Sequence, residues 1–240
     1  MSLESSIAGL VRASTELTGT VRGKSAEIDG KVAAKIAELD NWRSTARWEL
    51  PFHRVTKNQF GNILNGALLG WSVDAGTTVT VAVKRDIVSG VAWGSRDPEE
   101  VAILTAMGMT GVRDFWPGII RVLSLTWSKN PGTPNALLPF QVLPMRQGVT
   151  VASYARLISG AVDGSYLSGI SSTWKQCGAY IGQYHGGGYA HIHPIASTDT
   201  GSIELILPAA VAGRYPVDPS NPSWGWFDHR SAVANFDTSI

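Results

Sequence analysis

The composition of the chain changes abruptly near residue 41, and this change constrains the fold more than any other feature. Residues 1–40 contain no proline and no aromatic residue, whereas all nine tryptophans and all twelve prolines of the 240-residue chain follow residue 41. A stretch without proline can form one uninterrupted helix, while proline and aromatic residues are typical of turns and packed cores. The sequence therefore predicts a helical segment followed by a turn-rich, aromatic body.

Apolar side chains recur along the first forty residues at the spacing of a coiled-coil seam. Up to Ile28 the steps alternate between four and three residues, with Ser14 and Lys24 at the two seam positions that lack an apolar group. The seam consists of Leu3, Ile7, Leu10, Leu17, Val21, Ile28, Val32, Ile36 and Leu39. Such spacing is typical of a left-handed coiled coil, and we expect the helix to pack against copies of itself. The seam residues do not distinguish two strands from three.

This segment is a poor helix on its own. Gly9, Gly19, Gly23 and Gly30 each cost roughly 0.5–1 kcal/mol relative to alanine in a helix interior. A single amphipathic helix also cannot bury its own apolar stripe, so it needs partner copies or a docking surface. The alternative to self-association is that the helix packs on the body of its own chain.

Composition and charge bound the possible functions. The net charge is +1 and the 20 lysines and arginines are scattered, which argues against nucleic-acid binding. No run of apolar residues approaches the length of a membrane-spanning helix. The single Cys177 cannot form an intrachain disulfide. With only 16% charged residues, much of the surface is expected to be covered by neighbouring subunits.

Three segments follow from these patterns: a helix at 1–40, a neck at 41–60 and a β-rich head domain at 61–240. In the neck, Pro51 ends any helix, and large apolar side chains are expected to cluster, namely Trp42, Trp48, Phe52 and Phe60. In the head, β-prone runs occur at 78–83, 119–127, 150–158 and 202–207. Asp97 as N-cap, Pro98 at the first turn and Gly108 as a stop predict one short helix at 98–107.

The pair His191 and His193 is the sharpest local motif. Residues two apart in a strand point to the same side, so both imidazoles are expected to share one face. On a three-fold axis, three such pairs would supply the six ligands of an octahedral iron or other transition-metal site. The alternative is an ordinary surface strand that carries two histidines.

His185 and Cys177 are the other residues with reactive side chains, and both have a simpler explanation than catalysis. His185 and the three glycines after it are similar to a lipase oxyanion-hole motif, but no nucleophile elbow follows. Two functional hypotheses for Cys177 are a catalytic nucleophile beside His185 and a zinc ligand beside His191 and His193. A lone cysteine is more often a small buried apolar residue.

No pair of carboxylates in the sequence needs a role in acid–base catalysis to explain its presence. Glu99 and Glu100 are explained as helix-start residues and Glu204 as a solvent-facing strand residue, so we expect no enzyme activity.

An aromatic cluster at Trp224, Trp226 and Phe227 follows a proline-rich turn near the C-terminus. If these side chains are exposed, they are the best candidates for contact with a host receptor or glycan, because aromatic rings stack on sugars. The alternative is that they pack in the core or at a subunit interface.

The opening stretch, MSLESSIAGLVRASTELTGTVRGKSAEIDGKVAAKIAELDNW, resembles the start of many tailed-bacteriophage fibre and appendage proteins. The His191–His193 pair also resembles the iron-binding pairs of long tail-fibre tips. The resemblance implies a homotrimer with a helical stalk or anchor and a β-rich head. It further implies location in the virion, after assembly in the host cytoplasm, and contact with other tail, collar or baseplate proteins or with the host surface.

Two other functions remain open at this point. One is a structural adaptor or collar protein without a receptor role. The other is a tail-associated glycan hydrolase or esterase, which would require a set of catalytic residues that the sequence does not display.

Overall fold

The structure of the chain is a computed structural model that describes residues 2–49, 52–109, 116, 118–143, 148–182 and 190–227. For residues 43–49 and 190 it describes the backbone alone. The chain divides into two compact units, Met1–Pro51 and Phe52–Ile240. The predicted fold class is confirmed, because a long N-terminal helix precedes a mainly β body that carries one short α-helix. The coiled-coil assembly of that helix stays a prediction.

The first unit is a single helix, α1, that spans Leu3–Glu49. Its 47 residues extend over roughly 70 Å at ~1.5 Å per residue. The helix runs past the predicted end at residue 40 and includes the first part of the segment predicted to be a neck. Nothing in 41–49 breaks it, because the first proline is Pro51.

The body is built of twelve β-strands and one short α-helix among its described residues. Two single turns of 3₁₀ helix, at Trp93–Ser95 and Ser165–Leu167, complete it. The strands are β1 (Ile63–Leu64), β2 (Ala67–Leu68), β3 (Thr77–Ile87), β4 (Ile120–Lys129), β5 (Ala136–Leu137), β6 (Gln141–Leu143), β7 (Val149–Ser159), β8 (Val162–Asp163), β9 (Lys175–Ile181), β10 (Ala190–Ile192), β11 (Ile195–Ala196) and β12 (Thr200–Ala212), and helix α2 is Pro98–Ala106.

Five strands form the main sheet, in the order β3-β4-β12-β7-β9, with every neighbouring pair antiparallel. The four predicted β-prone runs lie in β3, β4, β7 and β12. Three smaller sheets surround it: β1-β2, β10-β6 and β5-β11-β8.

Alternation along the strands places one hydrophobic core on each face of the main sheet. In β4, Leu123, Leu125 and Trp127 belong to the first core, while Ile120 and Val122 belong to the second. The first core also takes side chains from the small sheets. The second is covered by α2 and by the segment that follows β12, so the sheet is buried on both faces near its centre.

Helix α2 begins at Pro98 as the sequence predicts and ends at Ala106, one residue before the predicted end. Asp97 caps it by accepting a hydrogen bond from the backbone N–H of Glu99 at 2.8 Å, and Pro98 occupies the first helical position. Gly108, with φ +73°, follows the C-cap residue Met107. Ile103 and Leu104 are its fully buried residues, and they anchor the helix in the second core.

A bulge interrupts the central strand β12 at Leu207 and Pro208. Pro208 has no N–H to give to a neighbouring strand, and the pairing with β7 shifts register between Ile206 and Ala209. Leu207 adopts a left-handed conformation, φ +51°, and its carbonyl accepts a hydrogen bond from the Trp224 indole at 3.0 Å. The bulge therefore creates the acceptor that holds the C-terminal segment on the sheet.

We predict that Trp224→Phe destabilises the body by about 1–3 kcal/mol, because it leaves the buried Leu207 carbonyl without its donor. Trp226→Phe is the matched control. Its indole N–H is buried but has no hydrogen-bond partner in the described part of the chain, so its loss should be close to neutral. Urea unfolding followed by the remaining tryptophan fluorescence measures both. Equal losses of stability would contradict the role of the bulge.

Candidate functional site

The apolar seam of α1 is open along its whole length. The nine seam residues are between 52% and 78% exposed, and every described side chain from Ser2 to Trp42 is classed as exposed. A continuous stripe of exposed Leu, Ile and Val is characteristic of a surface that another helix covers. The stripe is therefore the first candidate interaction surface.

The two lysines near the seam, Lys24 and Lys31, both contact the carboxylate of Glu27. Each Nζ lies 2.7 Å from a Glu27 oxygen. Hydrogen bonds from Lys24 and then Lys31 hold the pKa of Glu27 below its ordinary value. The helix thus carries its own counter-charge beside the seam, which lowers the penalty for packing helices together at these positions.

The predicted pair His191 and His193 lies on and just beyond β10. Strand β10 pairs with β6, and His191 stands opposite Val142. The two imidazole centroids are 5.8 Å apart, and the ring of Phe140 lies beside both, at 6.2 Å from His191 and 6.4 Å from His193. The two rings and Phe140 thus form one compact aromatic group.

These two imidazoles fit a metal site only in part. Nδ1 of His193 is buried without a hydrogen-bond partner among the described residues. The pKa of His193 is lowered, mainly by burial of the ring and to a smaller extent by the neighbouring His191. Both features favour the neutral ring that a metal ion requires. However, the described part of the chain groups no three His, Cys, Asp or Glu side chains that could hold an ion. One chain therefore supplies two ligands, and a six-ligand site needs three copies.

The catalytic and zinc-binding hypotheses for Cys177 receive little support from the structure. His185 and the glycines at 186–188 lie outside the described residues. Cys177 is fully buried, and burial raises the pKa of its thiol to about 11. A buried thiol with a raised pKa is a poor nucleophile. Among the described residues, Cys177 also joins no group of three side chains that could hold a metal ion.

The solvent-facing position predicted for Glu204 is wrong. Glu204 is 6% exposed, because it lies in the central strand β12, on the face that α2 covers. Its carboxylate contacts Nζ of Lys84 at 2.7 Å and the guanidinium of Arg156 at 2.7 Å. Lys84 and Arg156 also bind Glu99 at the start of α2. The fold therefore brings together two carboxylates that are 105 residues apart in the sequence.

This network neutralises itself and joins α2 to the sheet. Arg85 adds contacts to Asp97 at 2.8 Å and to Glu99 at 3.5 Å. The hydrogen bond from Lys84 lowers the pKa of Glu99 most, with further lowering by the charges of Lys84, Arg156 and Arg85. A glycosidase requires one carboxyl group that stays protonated near neutral pH. Glu99 does not meet this requirement, and its contacts are suited to holding the start of α2 on the sheet.

The aromatic cluster near the C-terminus is part of the body. Trp224 is 2% exposed, and its carbonyl accepts a hydrogen bond from the buried Tyr154 hydroxyl at 2.8 Å. A receptor contact through Trp224 is therefore incompatible with this fold. Trp226 and Phe227 are half-buried against the second core. Gln59 binds the backbone of this segment, donating to the Gly225 carbonyl at 2.7 Å and accepting from the Phe227 N–H at 3.1 Å.

The four aromatic residues predicted to form a neck have different environments. Trp42 lies in α1 and is 57% exposed. Trp48 is also helical, but its side chain is outside the described residues. Phe52 packs edge-on against Tyr215 with ring centroids 5.0 Å apart, and Phe60 approaches Gly118.

One surface was not found from the sequence. We call it the apolar strip, and its residues are exposed or half-buried along two adjacent antiparallel segments: Leu137, Phe140, Val142, His191, His193 and Ile195. Leu137 stands opposite Ile195, and Val142 opposite His191. The only sequence signal for this strip was the alternation around the two histidines, because its two segments are about 50 residues apart.

The sequence matches no protein-family model and is not significantly similar to any curated protein. In the described part of the chain, neither helix has an apolar stretch that is long enough to cross a membrane.

We predict that Glu99→Gln destabilises the body by about 1–3 kcal/mol at pH 7, since Lys84 and Arg156 lose a charged acceptor. The pKa of Glu99 is lowered in the folded protein, so its contribution is present above the ordinary glutamate pKa and is lost as pH falls through the folded value. The difference between Glu99→Gln and the wild type should therefore be full above about pH 5 and shrink toward pH 3.

Urea unfolding at a series of pH values measures this difference. Asp199→Asn is the control, because Asp199 pairs with Lys129 at 2.6 Å but its side chain is 78% exposed. An exposed pair contributes about 0–1 kcal/mol, so the control should change little. A difference for Glu99→Gln that does not depend on pH would contradict the role of its charge.

Proposed function

We propose that the protein is a structural appendage of a bacteriophage virion, a homotrimeric and fibre-like protein that mediates attachment to the host surface or to the virion. The observation that carries this proposal is the exposed apolar stripe of α1. The resemblance of the first forty residues to phage fibre and appendage proteins supplies the biological setting. The N-terminal helices form the stalk or anchor, and the β-rich bodies form the heads.

The energetics of α1 support self-association. Its four glycines together cost about 2–4 kcal/mol relative to alanine. Full burial of one Leu, Ile or Val side chain contributes about 1.5–3 kcal/mol, and the stripe has nine of them. Packing of several helices therefore outweighs the intrinsic weakness of each. The helical glycines meet no atom within 4 Å, so they leave room for a close neighbour.

The body supports a binding or structural role without a catalytic step. The paired carboxylates Glu99 and Glu204 are held in a balanced ion network, and the Cys177 thiol is buried. Three heads on one stalk would convert weak single contacts into useful avidity for a host glycan or protein. The proposed location is the virion, with assembly in the host cytoplasm and contacts to other tail, collar or baseplate proteins.

A structural adaptor or collar protein without a receptor role is the second candidate. Burial of Trp224 favours it, because the strongest aromatic receptor candidate is used inside the body. Adsorption of the labelled full-length protein to bacterial cells distinguishes the two, since an adaptor should not adsorb by itself.

The charge variant Val21→Glu/Ile28→Glu tests the stalk. Two carboxylates in the seam of each chain would meet across the helix contact, so we expect a wild-type mass of three chains to fall toward one. Light scattering on the purified full-length protein measures the mass. Ala26→Glu/Ala34→Glu adds the same charge on the opposite side of α1 and should keep the mass of three chains.

Two results would reject the stalk. One is a wild-type mass of a single chain. The other is a mass of three chains in both double variants, because the seam would then not be the contact.

Metal content tests the histidine part of the proposal. Three copies that bring His191 and His193 to a common axis should hold one iron or other transition-metal ion per three chains. Elemental analysis of the purified trimer measures this ratio, and His193→Ala should abolish it while the light-scattering mass stays at three chains. A metal-free trimer after incubation with Fe²⁺ and Ni²⁺ would remove the metal from the proposal.

A further inference from the structure

The two segments that carry the apolar strip are packed on their other side against the first core. Residues that alternate with it are buried, including Leu138, Leu143 and Ile192 in the first core. Gln141 fixes β6 from behind by accepting from the Lys57 N–H and donating to the Lys57 carbonyl, both at 3.0 Å. A surface that is already ordered loses little conformational entropy when it is covered.

The outward side of this surface is apolar and contiguous. Val142 is 47% exposed and Ile195 is 41% exposed, and both lie on adjacent paired segments. The strip has four apolar residues and two imidazoles, and it contains no lysine, arginine or carboxylate. Contiguous apolar surface on a folded domain marks an interaction site.

We propose that the apolar strip is the contact between the bodies of the trimer, with the strips of three copies packed against one another around the three-fold axis. This inference rests on the proposed function, because it assumes that α1 brings three copies together. It adds a second interface, located in the body, to the one formed by the seam.

The size of the strip favours a tethered copy of the same chain over a freely diffusing partner. The strip has six residues, far fewer than the roughly 20–30 residues that each partner contributes to a stable interface of standard size. A short tether raises the effective concentration of a second body to the millimolar range, where a small interface is enough. Copies held by a common stalk meet this condition.

The chemistry of the strip argues against a polyanionic occupant and fits a subunit contact. Nucleic acid and other polyanions need lysine or arginine at the contact, and the strip has neither. The centres of subunit interfaces are depleted in charge and enriched in aromatic and aliphatic residues, as the strip is. Asp163, opposite Ile195 on the next strand, is exposed, and the charge of Asp74 acts on His193, so carboxylates lie at the rim of the strip.

Disulfide cross-linking of the full-length protein tests the inference. Val142→Cys and Ile195→Cys each place one thiol on the strip, and diamide is the oxidant. The native Cys177 is fully buried and does not interfere. We expect at least one of the two variants to give a two-chain band on a non-reducing gel, at no less than five times the yield of the control. The control is Val88→Cys, which is 50% exposed but lies outside the strip.

Light scattering on the same samples separates the two levels of the proposal. A mass of three chains with no cross-link at residue 142 or 195 above the Val88→Cys level overturns the strip contact and leaves the stalk intact. A mass of one chain overturns the stalk trimer and the strip contact together. A mass of three chains with a strip-specific cross-link supports both.

Discussion

The body depends on the pairing of β12 with β4 on one side and β7 on the other. This strand runs for 13 residues through the middle of the main sheet, and nine consecutive residues, from Ile203 to Val211, are buried. Its alternating side chains feed both hydrophobic cores. Loss of this strand would leave two separate pairs, β3-β4 and β7-β9, and two-stranded pairs are marginal on their own in water.

The bulge in β12 is as important to the fold as the regular part of the strand. The Leu207–Pro208 bulge costs a ladder hydrogen bond, yet it frees a carbonyl for Trp224 and so anchors the segment that covers the second core. Glu204 is a second departure from a regular apolar strand, because it places a carboxylate in the buried part of β12. Its desolvation is offset because Lys84 and Arg156 meet it there and simultaneously hold α2 through Glu99. Two features that weaken an ideal strand thus attach the two elements that cover its face.

Local patterns predicted the parts of this fold that depend on local chemistry. The N-cap at Asp97, the stop at Gly108 and the alternation that turns Val79 and Val81 toward the first core follow from the residues themselves, whereas Val83 in the same alternation is 44% exposed. Which face another element covers is decided by topology, and a solvent-facing Glu204 was inferred because alternation alone does not reveal a second layer. The apolar strip was missed for a similar reason, since β6 and β10 are about 50 residues apart and each has only three residues.

The two units of the chain solve the problem of apolar burial in different ways. The body buries most of its large apolar side chains in two cores, one on each face of the main sheet. Helix α1 has no second layer of its own, and its nine seam residues stay more than half exposed. A chain that buried everything internally would have no physical reason to assemble. In the trimer proposed above, the exposed seam of α1 would supply the larger part of the driving force for association, and the small strip would add to it once the helices had brought the bodies together.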